Sequence, residues 1–558
     1  MCLISSAFLP NAALPEPAPQ CGGWPKLVRA GLTLRVHRHA LASNPRQWLA
    51  GMWWHLTGRH VRARSRIEPL IGSSLHAYRL ATAFGPSAAM PQGPAIPICA
   101  VIDCSAGRDG WFATVESLGA AGFADAIVVG QAPPSAAGHG MGNIPSLAQL
   151  SGALASRGIG WICPIACGDR FAPGAALHYG AVAAQSGAAV VYADDDLVDP
   201  TGECVAPHFK PQWNSELFRY VDYVSGAAAW RWEPVADLLP QGLNCALRGA
   251  IQRGTAEPVH VPVVLHHRRA RPEPQPLSTQ LPRMDPVRVS IIIPTRDQAA
   301  LLSGCLAGVE RVAWPDVELI IVDNGSSERT ALDRLDRAAA DGAIVLRDTG
   351  PFNFSRLNNR AVEHASGDLL CLLNNDVEMP DADWLAWLVA AAQRADVGAA
   401  GAQLLYADGT IQHAGVVLGV GGGAAHAHRG LPSAASGYFG RHCYPQFVSA
   451  VTGACLVVER SKFLAVGGLD ERDFPVAFND VDLCLKLNAK GWASYYEPRA
   501  RLIHHESKSR GLDRDPVSRA RFAGELAALK RKWHTDTIID RFHHPRLSRF
   551  SDQFVLAV

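Results

Sequence analysis

Three short apolar runs in the second half of the chain each stop on a polar group. VSIIIP (289–294) is followed by Thr295, LIIV (319–322) by Asp323, and LLCLL (369–373) by Asn374, Asn375 and Asp376. Continuous apolar runs this short read as strands buried on both faces. Helical stretches separate them, and strands alternating with helices predict a mostly parallel, doubly wound sheet. Open sheets of this kind bind ligands outside the carboxyl ends of their strands, where these polar residues fall. The alternation also occurs earlier, at ICAVID (98–103), AIVVG (126–130), GWICPI (160–165) and AAVVYA (188–193). Stretches rich in Pro, 86–97 and 269–286, bound that first series. The expected fold class is therefore α/β, with two doubly wound sheets in tandem behind an N-terminal helical segment.

A chain of 558 residues is too long for one ordinary domain. The expected divisions are 1–95, a disordered start and a basic helical segment; 96–270, a first α/β domain; 271–285, a linker; 286–512, a second α/β domain; and 513–558, a helical tail. Hydrophobic residues at 48% and charged residues at 18% describe a globular protein. A net charge of +1 gives no global case for nucleic acid. The 13 cysteines are odd in number and unpaired in spacing, which suits a reducing compartment. The N-terminus lacks the basic stretch of a signal peptide, and no apolar run reaches membrane-spanning length, so a cytoplasmic location is expected. Residues 24–90 hold 10 Lys and Arg against the single acid Glu68. Trp48, Leu49, Met52, Trp53 and Leu56 share one helical face. The plain reading is a helical cap on the next domain. The sharper one is an interfacial segment, 24–79, lying on anionic lipid at the inner face of the cell membrane.

Two further stretches complete the second series. Asn479-Asp480-Val481-Asp482 opens a helix, and Leu502-Ile503-His504-His505 ends a strand. At a strand end Asp323 can accept from a pyrimidine N–H and a ribose hydroxyl, or it can simply cap the next helix. Asp480 and Asp482 can favour a helix N-terminus without any chemistry. A histidine after a strand can ligate a metal or be structural.

Taken in order, these five stretches resemble the family 2 glycosyltransferases, specifically the two-domain bacterial type of O-antigen biosynthesis and rhamnosyl transfer. VTGACLVVERSKFLAVGGLDE (451–471) and PFNFSRLNNRAVEHASGD (351–368) resemble the family as well, as does DGTIQHAGVVLG (408–419), where physics assigns His413 no role. The resemblance implies a nucleotide-sugar-binding GT-A fold and inverting transfer of a sugar from a nucleotide diphosphate to a hydroxyl of a glycan or lipid-linked glycan. It implies that Pro294, Thr295, Asp323, Asn324, Asn374 and Asn375 meet the donor nucleotide. Asp376 and His504 would hold a divalent metal, manganese or magnesium, with His505 the alternative to His504. Asp480 would be the base, and Gly453, Ala454 and Asn479 would lie on the acceptor side. Asn358 and Asn359 would bond phosphate or cap a helix. The chain departs from the family at Asn374 and Asn479, where acids are usual.

The first series resembles the same family through VVYADDDLVDPTGECVAPHFKPQWNSELFRYVDYVSG (190–226), without its chemistry. Laid on the second series by eye, Gly130 replaces Asp323, Ala166 and Gly168 take the two metal positions, and Gly242 and Asn244 replace Asp480 and Asp482. His266 and His267 remain. This reads as a degenerate GT-A-like domain, and the triplet Asp194–Asp196 falls after a later strand, away from the family's metal position. The rival readings are a non-catalytic scaffold that binds nucleotide sugars and a bifunctional transferase with two active domains. A processive synthase would need Gln-x-x-Arg-Trp and membrane helices. A sugar nucleotidyltransferase would need a Gly-rich loop where this chain has PTRDQ.

Overall fold

The computed structural model describes residues 23–84, 89–131, 141–505 and 515–558. The disordered start expected ahead of the basic helical segment lies almost wholly outside the described residues. The chain folds as two compact units. One comprises residues up to Pro207 with Gly226–Ala270 and Leu556–Val558; the other comprises His208–Ser225 and Arg271–Val555. His208–Ser225, which the sequence assigns to the first domain, thus belongs to the second unit. Asn214 explains part of this: its amide donates to Phe447 O at 2.9 Å and its carbonyl accepts from Phe447 N–H at 3.2 Å. Glu216 adds an ion pair with Arg394 at 2.8 Å.

The first unit opens with four helices, Gly23–Ser43, Pro45–Leu56, His60–Ile71 and Leu75–Phe84. Asn44 starts the second by accepting from Gln47 N–H at 3.0 Å, with Pro45 in the first turn, where a missing N–H costs nothing. The predicted apolar face of that helix divides. Trp48 and Met52 are half-buried, while Leu49, Trp53 and Leu56 are exposed.

The sheet of the first unit runs Gly142–Ile144, Asp125–Val129, Cys99–Asp103, Trp161–Ala166, Ala228–Arg231, Val190–Val198, Val259–Arg268, Arg170–Phe171, with Cys204–His208 added beside Val190–Val198. The sheet of the second unit runs Ile344–Arg347, Val317–Asp323, Val289–Thr295, Leu369–Leu373, Cys455–Glu459, Val397–Leu405, Ala493–His504, Val377–Glu378. Numbered in chain order along each path, both visit the strands third, second, first, fourth, seventh, sixth, eighth, fifth. Orientations agree too. The seventh strand is antiparallel to both neighbours, and the short fifth strand is antiparallel to the eighth. The sheets are therefore mixed rather than wholly parallel, and the two units are copies of one topology.

In the second unit the strands are covered on both faces, as their apolar continuity predicts. Ile291, Ile293, Ile321, Cys371 and Leu373 join one core; Ile292, Ile320, Val322, Leu370 and Leu372 join the other. The period of two sends neighbours to opposite faces. In the three strands 289–295, 317–323 and 369–373 the polar side chains, Ser290, Thr295, Glu318 and Asp323, sit at or next to the strand ends.

The shared topology corrects the alignment made by eye. Val377 pairs with His504, and Arg170 pairs with His267. Three residues join the fourth strand to the fifth in each unit, 374–376 and 167–169. Asp169, not Gly168, therefore stands where Asp376 does, and His267 stands where His504 does. Likewise the helices Asn479–Ala489 and Leu243–Arg253 each follow a residue of positive φ, Phe478 at 61° and Gly242 at 128°. Counted from there, Asn244 rather than Gly242 takes the position of Asp480.

Candidate active site

The polar residues at the carboxyl ends of the second unit's strands form three connected groups. In the first, Thr295 and Asp323 are register neighbours on adjacent parallel strands. Thr295 Oγ1 accepts from the Asn375 amide at 2.9 Å. Asp323 is buried, accepts from Ser326 N–H at 2.8 Å and has Arg347 at 3.6 Å. Pro294 is buried beside Val322. Asn324 donates to Asp348 O at 2.9 Å and Gly350 O at 3.0 Å, so its amide nitrogen braces the neighbouring loop. Burial alone would raise the Asp348 carboxyl. Bonds from Gly350 N–H, Arg356 and Arg360 outweigh it and hold the carboxyl below its ordinary value.

The second group is built on the turn after Leu369–Leu373. Asp376 Oδ1 lies 3.1 Å from His504 Nε2. On the other side of the ring, His504 Nδ1 meets Gln412 Oε1 at 2.6 Å. A glutamine carbonyl oxygen only accepts, so Nδ1 carries the proton when His504 is neutral, leaving the Nε2 lone pair toward Asp376. The Asn374 amide nitrogen is 3.4 Å from the same Nε2. His505 faces elsewhere and pairs with Glu378 at 2.9 Å. One carboxylate oxygen and one imidazole nitrogen, buried and oriented side by side, fit a divalent ion that takes its remaining ligands from phosphate and water.

The third group is the start of the helix Asn479–Ala489. Asp480 is half-buried; its Oδ2 accepts from Gly453 N–H at 2.9 Å and its Oδ1 from Val481 N–H at 2.8 Å. Ala454 O accepts from Asn374 N–H at 2.9 Å, which ties this group to the second. Asn479 is buried and donates to Val476 O at 2.9 Å, so its amide nitrogen is spent inside the protein. Asp482 is fully buried, accepting from Trp533 Nε1 and holding Lys532 Nζ, each at 2.8 Å. It anchors the helix Pro516–Trp533.

Asn358 and Asn359 also have internal partners. Asn358 donates to Phe354 O at 2.8 Å; Asn359 donates to Leu469 O and accepts from Leu469 N–H, each at 2.9 Å. The residue that sequence reasoning missed is Gln412. Its signal was the stretch 408–419, which stood out by resemblance but offered His413 rather than Gln412 to the eye.

The Glycosyl transferase family 2 profile matches residues 290–451. That span contains Thr295, Asp323, Asp376 and Gln412 and stops short of Gly453, Asp480 and His504. Three relatives show the breadth of the similarity. An uncharacterized protein of Sinorhizobium fredii is 38% identical over 420 residues, 66% of this chain and 46% of that protein. The O-antigen biosynthesis protein RfbC of Myxococcus xanthus is 34% identical over 378 residues, 60% of this chain and 30% of that protein. An N-acetylglucosaminyl-diphospho-decaprenol L-rhamnosyltransferase of Mycobacterium tuberculosis is 48% identical over 71 residues, 13% of this chain and 22% of that protein. The chain spans less than half the length of the first two.

Proposed function

We propose that this chain, which carries a family 2 glycosyltransferase domain of the O-antigen and rhamnosyltransferase type, transfers a sugar from a nucleotide diphosphate to a hydroxyl of a growing cell-surface glycan. The observation that carries the reading is the convergence of Asp323, the Asp376–His504 pair and Asp480 at one end of one sheet, linked through Asn374 and Ala454. Thr295, Asp323 and Asn375 receive the nucleotide, with Pro294 and Asn324 shaping the strand ends around it. Asp376 and His504 would hold manganese or magnesium, which neutralises charge on the leaving diphosphate.

Asp480 takes the proton of the acceptor hydroxyl. The acceptor oxygen then bonds to the anomeric carbon, and the bond to the diphosphate breaks with its electron pair leaving on the phosphate oxygen. A single carboxylate acting as base, with Asp376 given to the metal and Asp323 to the nucleotide, supports inversion at that carbon. Gly453 N–H fixes Oδ2 of Asp480 while leaving lone pairs for the acceptor. The likeness to a rhamnosyltransferase favours deoxythymidine-diphosphate rhamnose as donor and a lipid-linked acceptor. Within the first unit, exposed Leu49, Trp53 and Leu56 beside a basic surface support peripheral contact with a membrane. No helix among the described residues is long and apolar enough to cross one.

The test is turnover of a panel of nucleotide sugars by the purified chain, with chelator and then with added manganese or magnesium. Turnover of one donor, lost in chelator and restored by metal, is expected. Binding of donor without turnover under every condition would favour the scaffold reading, to which Asn374 and Asn479 lend support.

A further inference from the structure

The first unit contains a cluster that sugar transfer does not use. Asp196 lies near the end of Val190–Val198, His267 on the parallel neighbour Val259–Arg268, and Cys204 opens Cys204–His208 on the other side. Three adjacent strands thus each supply one side chain. Asp196 Oδ1 is 2.7 Å from His267 Nδ1, and Cys204 Sγ is 3.5 Å from the same nitrogen. Oxygen, sulfur and nitrogen all lie within 4.8 Å of one another. Tyr78 OH donates to the second oxygen of Asp196 at 2.5 Å, fixing the carboxylate plane. Asp196 is fully buried, while the His267 side chain keeps 22% of its surface exposed, so the group is reachable from solvent.

A buried His–Asp pair is common and needs no sulfur. Here the thiol faces the nitrogen that the carboxylate already holds. A tetrahedral ion bonded at about 2.0 Å to nitrogen and about 2.3 Å to sulfur sets those two atoms roughly 3.5 Å apart, the separation observed. The oxygen and nitrogen, now 2.7 Å apart, would open by roughly half an ångström as the ion replaces the shared proton. The internal repeat adds a second argument. His267 occupies the strand position of His504, but it carries a carboxylate and a thiol at Nδ1 where His504 carries Gln412.

We propose that Asp196, Cys204 and His267 form a binding site for a borderline-soft divalent transition ion of the zinc class, with Tyr78 orienting the carboxylate and water completing the shell. Sulfur and nitrogen ligands favour zinc or cobalt over manganese or magnesium, so this site and the Asp376–His504 pair differ in the ions they select. On binding, the thiol releases its proton to solvent and the ion displaces the proton that His267 Nδ1 shares with Asp196.

Cobalt(II) is the probe, titrated into the full chain after chelator treatment. Cobalt bound to a thiolate gives a sulfur-to-metal charge-transfer band that an oxygen–nitrogen site cannot give. The expected result is one such band saturating near one equivalent, displaced by zinc, absent in Cys204→Ser and retained in Asp376→Ala. Tyr78→Phe should weaken zinc binding by roughly tenfold or more. Cys204→Ser, which keeps the His267–Asp196 pair, should leave sugar turnover unchanged. Absence of the band in the unsubstituted chain, or its persistence in Cys204→Ser, overturns the proposal, and neither outcome bears on the transferase reading.

Discussion

Asp480 is held by two backbone N–H groups, and the consequence is testable at that one residue. Its oxygens accept from Gly453 and Val481, geometry that Asn preserves on one side only. Asp480→Asn should lower turnover by roughly two to four orders of magnitude, the range for loss of a general base. Donor affinity should stay within a few-fold, because Thr295, Asp323 and Asp376 are untouched. Near-normal turnover in this variant removes the base assignment. Gln412 offers a subtler case. It touches neither donor nor acceptor in this reading, yet it sets which nitrogen of His504 faces Asp376. Gln412→Leu should weaken manganese affinity by roughly 10- to 100-fold, while activity recovers at saturating metal. Gln412→Glu, which keeps an acceptor at that position, should restore most of the affinity. A loss that excess metal does not rescue would mean that Gln412 serves packing alone.

At the scale of elements, the strands were legible because burial on both faces leaves an unbroken apolar run, and each run ends in polar residues. Asp323, Asp376 and His504 stand at or just past such strand ends. What the sequence hid were side chains whose partners are backbone groups far along the chain. Asn359 and Asn479 look like ligand-binding amides, yet they satisfy Leu469 and Val476. Asp482 looks like a partner of Asp480 but instead anchors Trp533 and Lys532. The slip from Asp169 to Gly168 has the same origin. A short polar turn carries no periodicity, so only the pairing of Arg170 with His267 fixes its register. The helix Pro45–Leu56 shows the converse, an apolar pattern left partly exposed. Its exposed Leu49, Trp53 and Leu56 recur at helical spacing in a segment with a single acid. Anionic vesicles should bind the full chain, with binding that weakens as salt screens the basic surface. Trp53→Glu should weaken it several-fold without changing turnover of a soluble donor. Equal binding to neutral and anionic vesicles, or no binding to either, would return this segment to a packing role.

The chain uses one sheet topology twice, with different side chains at the corresponding strand ends. The second unit buries several neutral histidines. Burial lowers His442 to about 4; burial, with the charge of Arg441 nearby, lowers His543 to about 3. An unfolded histidine takes a proton near 6.5, so this stability is complete above 6.5 and drains as pH falls through about 4. For His442 it amounts to on the order of 3 kcal/mol. His442→Gln should therefore flatten the fall in thermal midpoint between pH 7 and pH 5, and an unchanged slope would assign that fall to other groups. The first unit keeps Asp169 and His267 at the positions of Asp376 and His504, but their side chains have other partners. Asp169 accepts from Arg269 N–H at 2.8 Å, and His267 is bound to Asp196. Asn244, two residues past Gly242 as Asp480 is two past Phe478, has an amide that cannot take a proton from a hydroxyl at neutral pH. On the proposed reading, transfer needs nucleotide-binding groups, a metal pair and a base placed together, and among the described residues it is the second unit that supplies such a set. Calorimetric titration with donor nucleotide and manganese should therefore find one site per chain, abolished by Asp376→Ala. Substituting Asp194, Asp195 and Asp196 should leave the manganese dependence of turnover intact. Two donor sites, or loss of that dependence on changing the triplet, would make the chain a bifunctional transferase.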